Sequence, residues 1–238
     1  MSPLGPVLRI LVVSDDPVRS AGHLDLWLAR RDAHLERIAR DDVVRPARRP
    51  DADLVIALGS RHSAHDPARA DRVRAEVDLL RVAFGSGVPV LGIGHGAHVA
   101  ARALGGTSYR ADRPLFGWRR VDTQDPVLCP EGPWAHAHRD VFAPAPTSTV
   151  LGGTWEGPQC FVDDSWPGRV LGWQFHPEAT AETMSVQLAD DAALARRHGA
   201  DVDALLADAR RSAASRRRAA LALFDAAAEA LGVRRDRA

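Results

Sequence analysis

The 238-residue sequence contains no lysine, only two cysteines and no long apolar run. The last two features argue against a disulfide-rich protein and against a membrane-spanning protein. Cys129 and Cys160 are too few for a disulfide framework, so we expect a reducing, cytoplasmic environment. No stretch is long and apolar enough to suggest a membrane span. The apolar residues 8–13 run into Asp15 and Asp16 rather than into a signal-peptide cleavage pattern. The 31 basic residues, all arginine, balance 31 acidic residues, so the composition favours a globular protein without nucleic-acid or membrane partners.

Short aliphatic runs alternate with amphipathic segments along the first half of the sequence. Uncharged apolar runs predict buried strands, and apolar residues at helical spacing predict helices. Strands are predicted at residues 8–13, 53–58 and 87–93, and helices at residues 23–40, 71–84 and 97–104. Strands that alternate with helices predict a mostly parallel sheet with helices on both faces.

The second half of the sequence has a different pattern. Residues 107–172 are rich in turn-forming residues and contain short β-type runs, which predict a small antiparallel β region. A further strand is predicted at residues 169–175. Residues 201–231 carry apolar side chains at helical spacing, which predicts one long helix after a break at His198 and Gly199. Packing of this helix on the edge of the domain and a homodimer contact are both compatible with the pattern.

Two motifs, each at the end of a predicted strand, carry the chemistry. The first is Gly-Ile-Gly-His-Gly-Ala-His at residues 92–98, where a strand runs through a glycine-rich turn into a helix. The second is Gly-Trp-Gln-Phe-His-Pro-Glu at residues 172–178. They resemble the signature motifs of class I glutamine amidotransferases, Gly-Ile-Cys-x-Gly-x-Gln and Gly-x-Gln-Phe-His-Pro-Glu. Weaker similarities over nearly the whole chain point to the stand-alone, GMP-synthase-like branch and its actinobacterial members.

The resemblance implies a flavodoxin-like α/β fold, a three-layer sandwich with a central, mostly parallel sheet and a small antiparallel β region. It implies an amidotransferase-like domain over residues 1–190 and a C-terminal helical extension, residues 191–238, packed on that domain. A strand–turn–helix elbow in such a fold presents one side chain at the sheet edge, where α/β proteins bind ligands.

The resemblance also assigns the catalytic positions. His176 matches the family's catalytic base, and Glu178 matches the carboxylate that orients this base. Gly94 stands where the family has its nucleophilic cysteine. No Cys, Ser or Thr occurs between residues 88 and 106, so the elbow contains no shifted nucleophile. We therefore do not expect this chain to hydrolyse glutamine through a thioester.

Further positions are assigned to the ligand pocket. Gly59 and Ser60 match the loop whose backbone N–H groups face the family's site. Gln159 and Cys160 match a strand that borders the glutamine pocket. Cys160 is either a replacement thiol or a small buried apolar side chain. The predicted pocket residues are Gly59, Ser60, His95, His98, Gln159 and Cys160.

Three pocket positions depart from the family. His98 replaces a glutamine, His65 stands where relatives often have tyrosine, and Leu115 stands where relatives have glutamate. Because these departures accompany the loss of the cysteine, the resemblance implies a remodelled pocket rather than a single lost residue.

Several histidines are predicted to meet at the carboxyl edge of the sheet. Imidazole and carboxylate ligands suit a divalent transition metal such as Zn, Fe, Ni or Co. The candidate metal ligands are His65, His95, His98 and His176, with His62 and Glu178 nearby. Ordinary surface or capping roles for these histidines are the alternative. His136 and His138 are interpreted as a structural tie of a loop.

Two functional hypotheses remain open. In the first, the chain is a glutamine amidotransferase-like protein without its nucleophile, which binds a small amino-acid-like ligand or a separate partner enzyme such as a synthetase. In the second, it is a repurposed enzyme of specialised metabolism. Its His176 and Glu178, with or without a metal, would then act on a glutamine-like or γ-glutamyl substrate.

Overall fold

The computed structural model describes residues 7–44, 46, 48–189 and 191–233. Ten strands form two sheets. The strands are β1 Leu8–Ser14, β2 Ala33–Ala39, β3 Leu54–Ala57, β4 Val90–Ile93, β5 Thr107–Arg119, β6 Asp122–Thr123, β7 Trp134–Ala143, β8 Thr149–Thr154, β9 Gly157–Asp163 and β10 Val170–Trp173. The helices are α1 His23–Leu28, α2 Ala70–Gly85, α3 His95–Ala103, α4 Ala181–Ala189, α5 Ala192–Arg197, α6 Val202–Arg211 and α7 Ala213–Ala230.

The central sheet has eight strands in the order β2-β1-β3-β4-β10-β9-β8-β6. Strands β2, β1, β3, β4 and β10 run parallel, whereas β9 pairs antiparallel with β10 and with β8. Strands β5 and β7 form a separate antiparallel pair. The predicted fold class, a mostly parallel central sheet with a small antiparallel β region, is confirmed.

Both faces of the parallel sheet are buried, as expected for parallel strands between helices. In β1, Ile10 and Val12 join one core cluster, and Leu11 and Val13 join the other. Helices α2 and α3 contribute to the second cluster, while α1 and α7 contribute to the first. Successive side chains of one strand therefore contact helices on opposite sides of the sheet.

A continuous line of aromatic rings crosses the molecule from β7 to α1. Trp134 stacks on Phe175 with ring centroids 5.3 Å apart, and Phe175 is 6.0 Å from Trp173. Trp173 is 6.0 Å from Phe224 of α7, which is 5.8 Å from Trp27 of α1. The C-terminal helix thus packs directly on the central sheet. The predicted domain boundary at residue 190 and the end of the predicted extension, residues 234–238, lie outside the described residues.

Two predicted elements were wrong. The helix predicted over residues 23–40 ends at Leu28, and residues 33–39 form β2 at the edge of the sheet. Residues 33–39 pair in register with residues 8–14 of β1. This strand pairing stabilises the segment more than a helix would, although its apolar residues have helical spacing. The helix predicted over residues 201–231 is divided at Ser212, because α6 contacts α4 and β5 whereas α7 contacts α1. Within the described ranges, no helix has the length and apolarity needed to cross a membrane.

Candidate functional site

Gly94 forms the sharp turn between β4 and α3. Its backbone angles, φ 55° and ψ −118°, lie in a region that side chains rarely adopt and that glycine tolerates. The Gly94 N–H donates to the carbonyl oxygen of Trp173 at 2.7 Å, which fixes the turn against the end of β10. A Cβ atom on this residue would lie 3.1 Å from Nε2 and 2.6 Å from Cε1 of His176. Position 94 therefore directly faces the His176 imidazole.

His176 and Glu178 form a hydrogen-bonded pair just after β10. His176 Nδ1 lies 2.7 Å from Glu178 Oε1 and donates to it, because a carboxylate only accepts. The remaining ring nitrogen, Nε2, then accepts from the side-chain amide of Gln187 in α4, at 3.3 Å. A backbone bond from His176 N–H to the carbonyl oxygen of Ala135, 2.9 Å long, ties this segment to β7. The pair is oriented as a base would be, with Gln187 on the nitrogen that would take a proton.

Arg40, a residue that the sequence did not single out, is buried beneath the loop after β3. Its Nε donates to Asp15 Oδ1 at 2.9 Å, and its Nη1 donates to Glu76, which is fully buried in α2. Its Nη2 donates to the carbonyl oxygen of Leu58 at 2.8 Å and to that of Gly59 at 3.4 Å. The guanidinium group therefore joins two carboxylates to the backbone of the loop.

This arrangement sets the direction of the loop's peptide groups. In a trans peptide the C=O and N–H groups point in opposite directions. Because Arg40 holds the carbonyl groups of Leu58 and Gly59, the N–H groups of Gly59 and Ser60 are turned to the opposite side of the loop. Asp15 also accepts from the Ser60 hydroxyl at 2.9 Å.

The Glu76 carboxyl is ionised despite its complete burial. Burial alone raises the pKa of Glu76, but the charge of Arg40 and the contact with His95 outweigh burial and lower this pKa to about 2. In the sequence, Glu76 lies on the same predicted helix face as the apolar residues Val73 and Val77. A carboxylate at such a buried position indicates that a cationic partner is buried with it.

A cavity of about 1030 Å³ opens at the carboxyl ends of the parallel strands, and we call it the main cavity. It is the position at which open α/β sheets bind ligands. Seven of the predicted site residues line it: Gly59, Ser60, Gly94, His95, His98, His176 and Glu178. The structure thus brings the elbow, the loop after β3 and the pair after β10 around one space.

Four other predicted residues do not line the main cavity. Gln159 is buried on β9, where its amide nitrogen donates to Thr154 at 3.1 Å. Cys160 is fully buried, with its sulfur 3.7 Å from the carbonyl oxygen of Leu128. Burial raises the pKa of the Cys160 thiol well above its ordinary value, which disfavours the thiolate. Leu115 and His65 lie outside the lining as well.

The floor of the main cavity is formed by uncharged polar side chains. His98 contacts the Ser108 hydroxyl through Nδ1 at 2.7 Å, and His138 contacts His136 at 3.3 Å. Burial lowers the pKa of His98 to about 3, and burial likewise lowers the pKa of His138 to about 3. Both amide atoms of Gln174 are buried, and its side chain interacts with His98. These groups are neutral at pH 7 and offer donors and acceptors without net charge.

The four histidines predicted as metal ligands are not grouped around one point among the described residues. Within the part of the chain that the structure describes, no group of three or more His, Cys, Asp or Glu side chains is placed to hold a metal ion. His95 Nδ1 donates to the carbonyl oxygen of His62 at 2.8 Å, and its Nε2 lies 3.6 Å from Glu76. The Nδ1 atoms of His98 and His176 are bonded to Ser108 and Glu178. Protein groups therefore orient these rings separately rather than towards one point.

Comparison with known proteins identifies the family. The model of the glutamine amidotransferase class-I family matches residues 53–196. The glutamine-hydrolyzing GMP synthase of Thermus thermophilus is 33% identical over 165 residues, which are 67% of this chain and 29% of that protein. The carbamoyl phosphate synthase small chain of Mycobacterium tuberculosis is 32% identical over 132 residues, 49% of this chain and 32% of that protein. The chain spans less than a third of the length of the GMP synthase that it matches.

Solved structures show the same fold. A glutamine amidotransferase from Thermotoga maritima superposes with a TM-score of 0.77 at 20% identity, covering 92% of this chain and 96% of that one. A glutamine amidotransferase from Methylobacillus flagellatus gives a TM-score of 0.71 at 21% identity, covering 98% and 97% of the two chains. The family match covers more than half of the sequence, and it includes both the elbow and the His176–Glu178 segment. The chain belongs to the class I glutamine amidotransferase family.

Proposed function

We propose that this chain binds a small amino-acid-like ligand in the main cavity and does not hydrolyse glutamine through a thioester. The observation that carries this proposal is the glycine at position 94. The position that directly faces His176 has no side chain, so no nucleophilic atom is available there. The two thiols of the chain, those of Cys129 and Cys160, are completely buried.

The lining of the main cavity supports an amino-acid-like ligand. Its rim carries side chains of both charges: Arg19 and Arg139 are positive, and Asp16 and Glu182 are negative. An amino acid carries an ammonium and a carboxylate group, which these side chains complement. The N–H groups of the Gly59–Ser60 loop and the N-terminus of α3 favour a carbonyl or carboxylate oxygen near Gly94.

A separate enzyme is the partner that we propose. The relatives named GMP synthase and carbamoyl phosphate synthase small chain are similar to this chain over only 29% and 32% of their own length. We infer that a synthetase or another biosynthetic enzyme binds this chain and receives its bound ligand.

Wild-type protein should bind the ligand class without turning it over. We expect at least one of L-glutamine, L-glutamate and γ-glutamyl hydrazide to give saturable heat in a calorimetric titration. L-Glutamine should release no ammonia above background, because position 94 offers no nucleophile. Ammonia release by the purified wild-type protein would overturn the proposal, and so would the absence of binding by all three compounds.

The variant Gly94→Cys should gain a reactive thiol without gaining efficient glutaminase activity. Its sulfur would lie beside His176, so we expect covalent labelling at residue 94 by a γ-diazoketone analogue of glutamine. Turnover should stay at least about 100-fold below that of an active relative, because His176 must move to admit the new Cβ and catalysis is sensitive to such shifts.

Gly94→Ala is the matched control, since it introduces the same backbone strain and the same Cβ without a thiol. It should not be labelled. Turnover by Gly94→Cys at the rate of an active relative would show that the cavity is not remodelled.

A second candidate function rests on the retained His176–Glu178 pair. The 2.7 Å bond between them would orient the imidazole as a general base for a glutamine-like or γ-glutamyl substrate of specialised metabolism. The contact of Nε2 with Gln187 favours the binding function, because this amide covers the nitrogen that would take the proton. In a deletion strain complemented with His176→Ala, we therefore expect unchanged metabolite levels. Loss of a product in this strain, with normal protein abundance, would favour the enzyme.

A further inference from the structure

A second cavity, of about 510 Å³, lies between α1, α6, α7 and the segment of residues 179–182. We call it the basic cavity, because its wall includes Arg210, Arg216 and Arg217. Alanine residues line much of the rest, so short side chains leave the space open: Ala179, Ala181, Ala209, Ala213 and Ala214.

Arg216 is fixed in place with one nitrogen unused. Its guanidinium carbon lies 3.3 Å from the centre of the Trp118 ring, and its Nη2 donates to Asp208. The side chain is only 12% exposed. Its Nη1 is buried and has no hydrogen-bond acceptor among the described residues. A buried guanidinium N–H without an acceptor is unfavourable, so Nη1 would gain from an acceptor if the side chains that cover it moved aside.

His23 presents a second such atom on the same wall. The side chain is 6% exposed, and its Nδ1 is buried without a hydrogen-bond partner in the described ranges. Its backbone N–H donates to the carbonyl oxygen of Glu178 at 2.8 Å, so the basic cavity adjoins the segment that carries the His176–Glu178 pair.

The charge of the basic cavity is positive. Arg210 and Arg217 are exposed at its edge, and Glu182 is the carboxylate of its lining. Asp208 pairs with Arg216 and also with Arg211, and Glu182 is close enough to Arg210 to feel its charge. The arginines at this cavity outnumber the carboxylates, which favours an anion that accepts several hydrogen bonds.

We propose that the basic cavity is a binding site for a phosphate group, either as inorganic phosphate or as a phosphate monoester. Arginine forks match the oxygen atoms of phosphate and donate paired hydrogen bonds. Arg216 supplies a preorganised donor, since Trp118 and Asp208 already hold its guanidinium group. Arg210 and Arg217 supply the charge at the entrance, and the Trp118 ring offers an apolar surface to an ester substituent.

The test is a calorimetric titration of the full chain with inorganic phosphate and with phenyl phosphate at constant ionic strength. We expect one saturable site, tighter for phosphate than for acetate because a tetrahedral anion reaches more of the donors. Tighter binding of phenyl phosphate than of inorganic phosphate would identify an ester as the ligand, whereas equal affinities would identify free phosphate. The indole N–H of Trp118, followed by NMR, should shift with the same saturation curve.

Single charge-removing variants locate the site. Arg217→Gln and Arg210→Gln should each weaken phosphate binding about fivefold, as expected for the loss of one charge-assisted contact. Arg218→Gln is the matched control, because Arg218 is an exposed neighbour on α7 that does not line the cavity. It should change the affinity less than about twofold.

Three results would overturn the proposal: no saturable binding of phosphate, equal weakening by Arg218→Gln, or acetate bound as tightly as phosphate. If Arg218→Gln weakened phosphate binding as much as the other two variants, the general positive charge of α7, rather than a defined site, would attract the anion. The two variants lie on the surface, so folding is checked by circular dichroism and is not expected to change.

Discussion

Replacing Arg40 by methionine should lower the free energy of unfolding by about 3–5 kcal/mol, because Glu76 would remain buried without its cation. Glu76 is fully buried and ionised at pH 7, so it cannot find water when Arg40 is removed. The carbonyl oxygen of Gly59 would lose a hydrogen bond as well. Urea denaturation at pH 7, followed by circular dichroism, measures the change.

The pair Arg120–Glu131 provides the matched control for this substitution. Its N–O distance is 2.8 Å, but the two side chains are 65% and 59% exposed. Arg120→Met should therefore lower the free energy of unfolding by less than about 1 kcal/mol. A loss below about 1 kcal/mol for Arg40→Met as well would show that water reaches Glu76.

A double variant separates the effect of the unpaired Glu76 charge from the effect of losing the loop anchor. Arg40→Met combined with Glu76→Met leaves no unpaired charge at this pair, and apolar side chains often replace a buried ion pair without net loss of stability. We expect the double variant to be more stable than Arg40→Met alone. Because the loop at Leu58 and Gly59 has still lost its anchor, ligand binding in the main cavity should remain weaker than in the wild type.

Acid should destabilise the protein well before its carboxylates are protonated. His98 and His138 have an ordinary pKa of 6.5, and burial lowers the pKa of each to about 3 in the folded protein. The unfolded chain therefore binds more protons below pH 6.5, and the stability present above this pH is lost as the pH falls towards 3. At pH 5 the loss should be about 2 kcal/mol for each of these histidines taken alone. His136, whose pKa burial lowers well below its ordinary value, adds to the loss in the same direction.

Denaturant curves at pH 8, 7, 6 and 5 test this expectation. These pH values exclude Glu76, whose pKa is lowered from 4.5 to about 2 and whose contribution is lost only within that lower range. The double variant His98→Gln/His138→Gln should show a flatter dependence on pH than the wild type, and His136 should account for part of the slope that remains. His198→Gln is the control, because His198 is exposed at the end of α5, and its curve should follow the wild type. A wild-type stability that is unchanged between pH 7 and pH 5 would contradict the expectation.

The sequence was sufficient for features that depend on local pattern. The elbow at Gly94 and the segment from His176 to Glu178 each combine a short strand with a turn, and both lie at the main cavity. The parallel sheet was also predictable, because aliphatic runs alternate with helices. Strand β2 was missed because it has one hydrogen-bonded neighbour, β1, and its residues are only partly buried. Such a strand lacks the uninterrupted apolar run of a central strand.

Features that join distant residues were not predictable from pattern. Arg40 and Glu76 meet only because the turn that follows β2 packs against α2, and neither residue belongs to a motif. The separate orientation of the four histidines was not predictable for a related reason. Convergence of histidines at one sheet edge was foreseeable, but the direction of each ring depends on its second hydrogen bond, as with His98 and Ser108. Cys160 was placed at the pocket by resemblance, whereas its side chain points into the core.

The aromatic line from Trp134 to Trp27 has a spectroscopic consequence. Three indole rings, those of Trp27, Trp134 and Trp173, are bridged by Phe175 and Phe224 at centroid distances of 6.0 Å or less. Excitation absorbed by one indole can pass to the next over such distances, so the emission of this group reports on the whole line. Undocking of α7 alone would expose Trp27 and Trp173 to water and shift the emission to longer wavelength. Intrinsic fluorescence therefore reports whether α7 remains docked on α1 and on the central sheet.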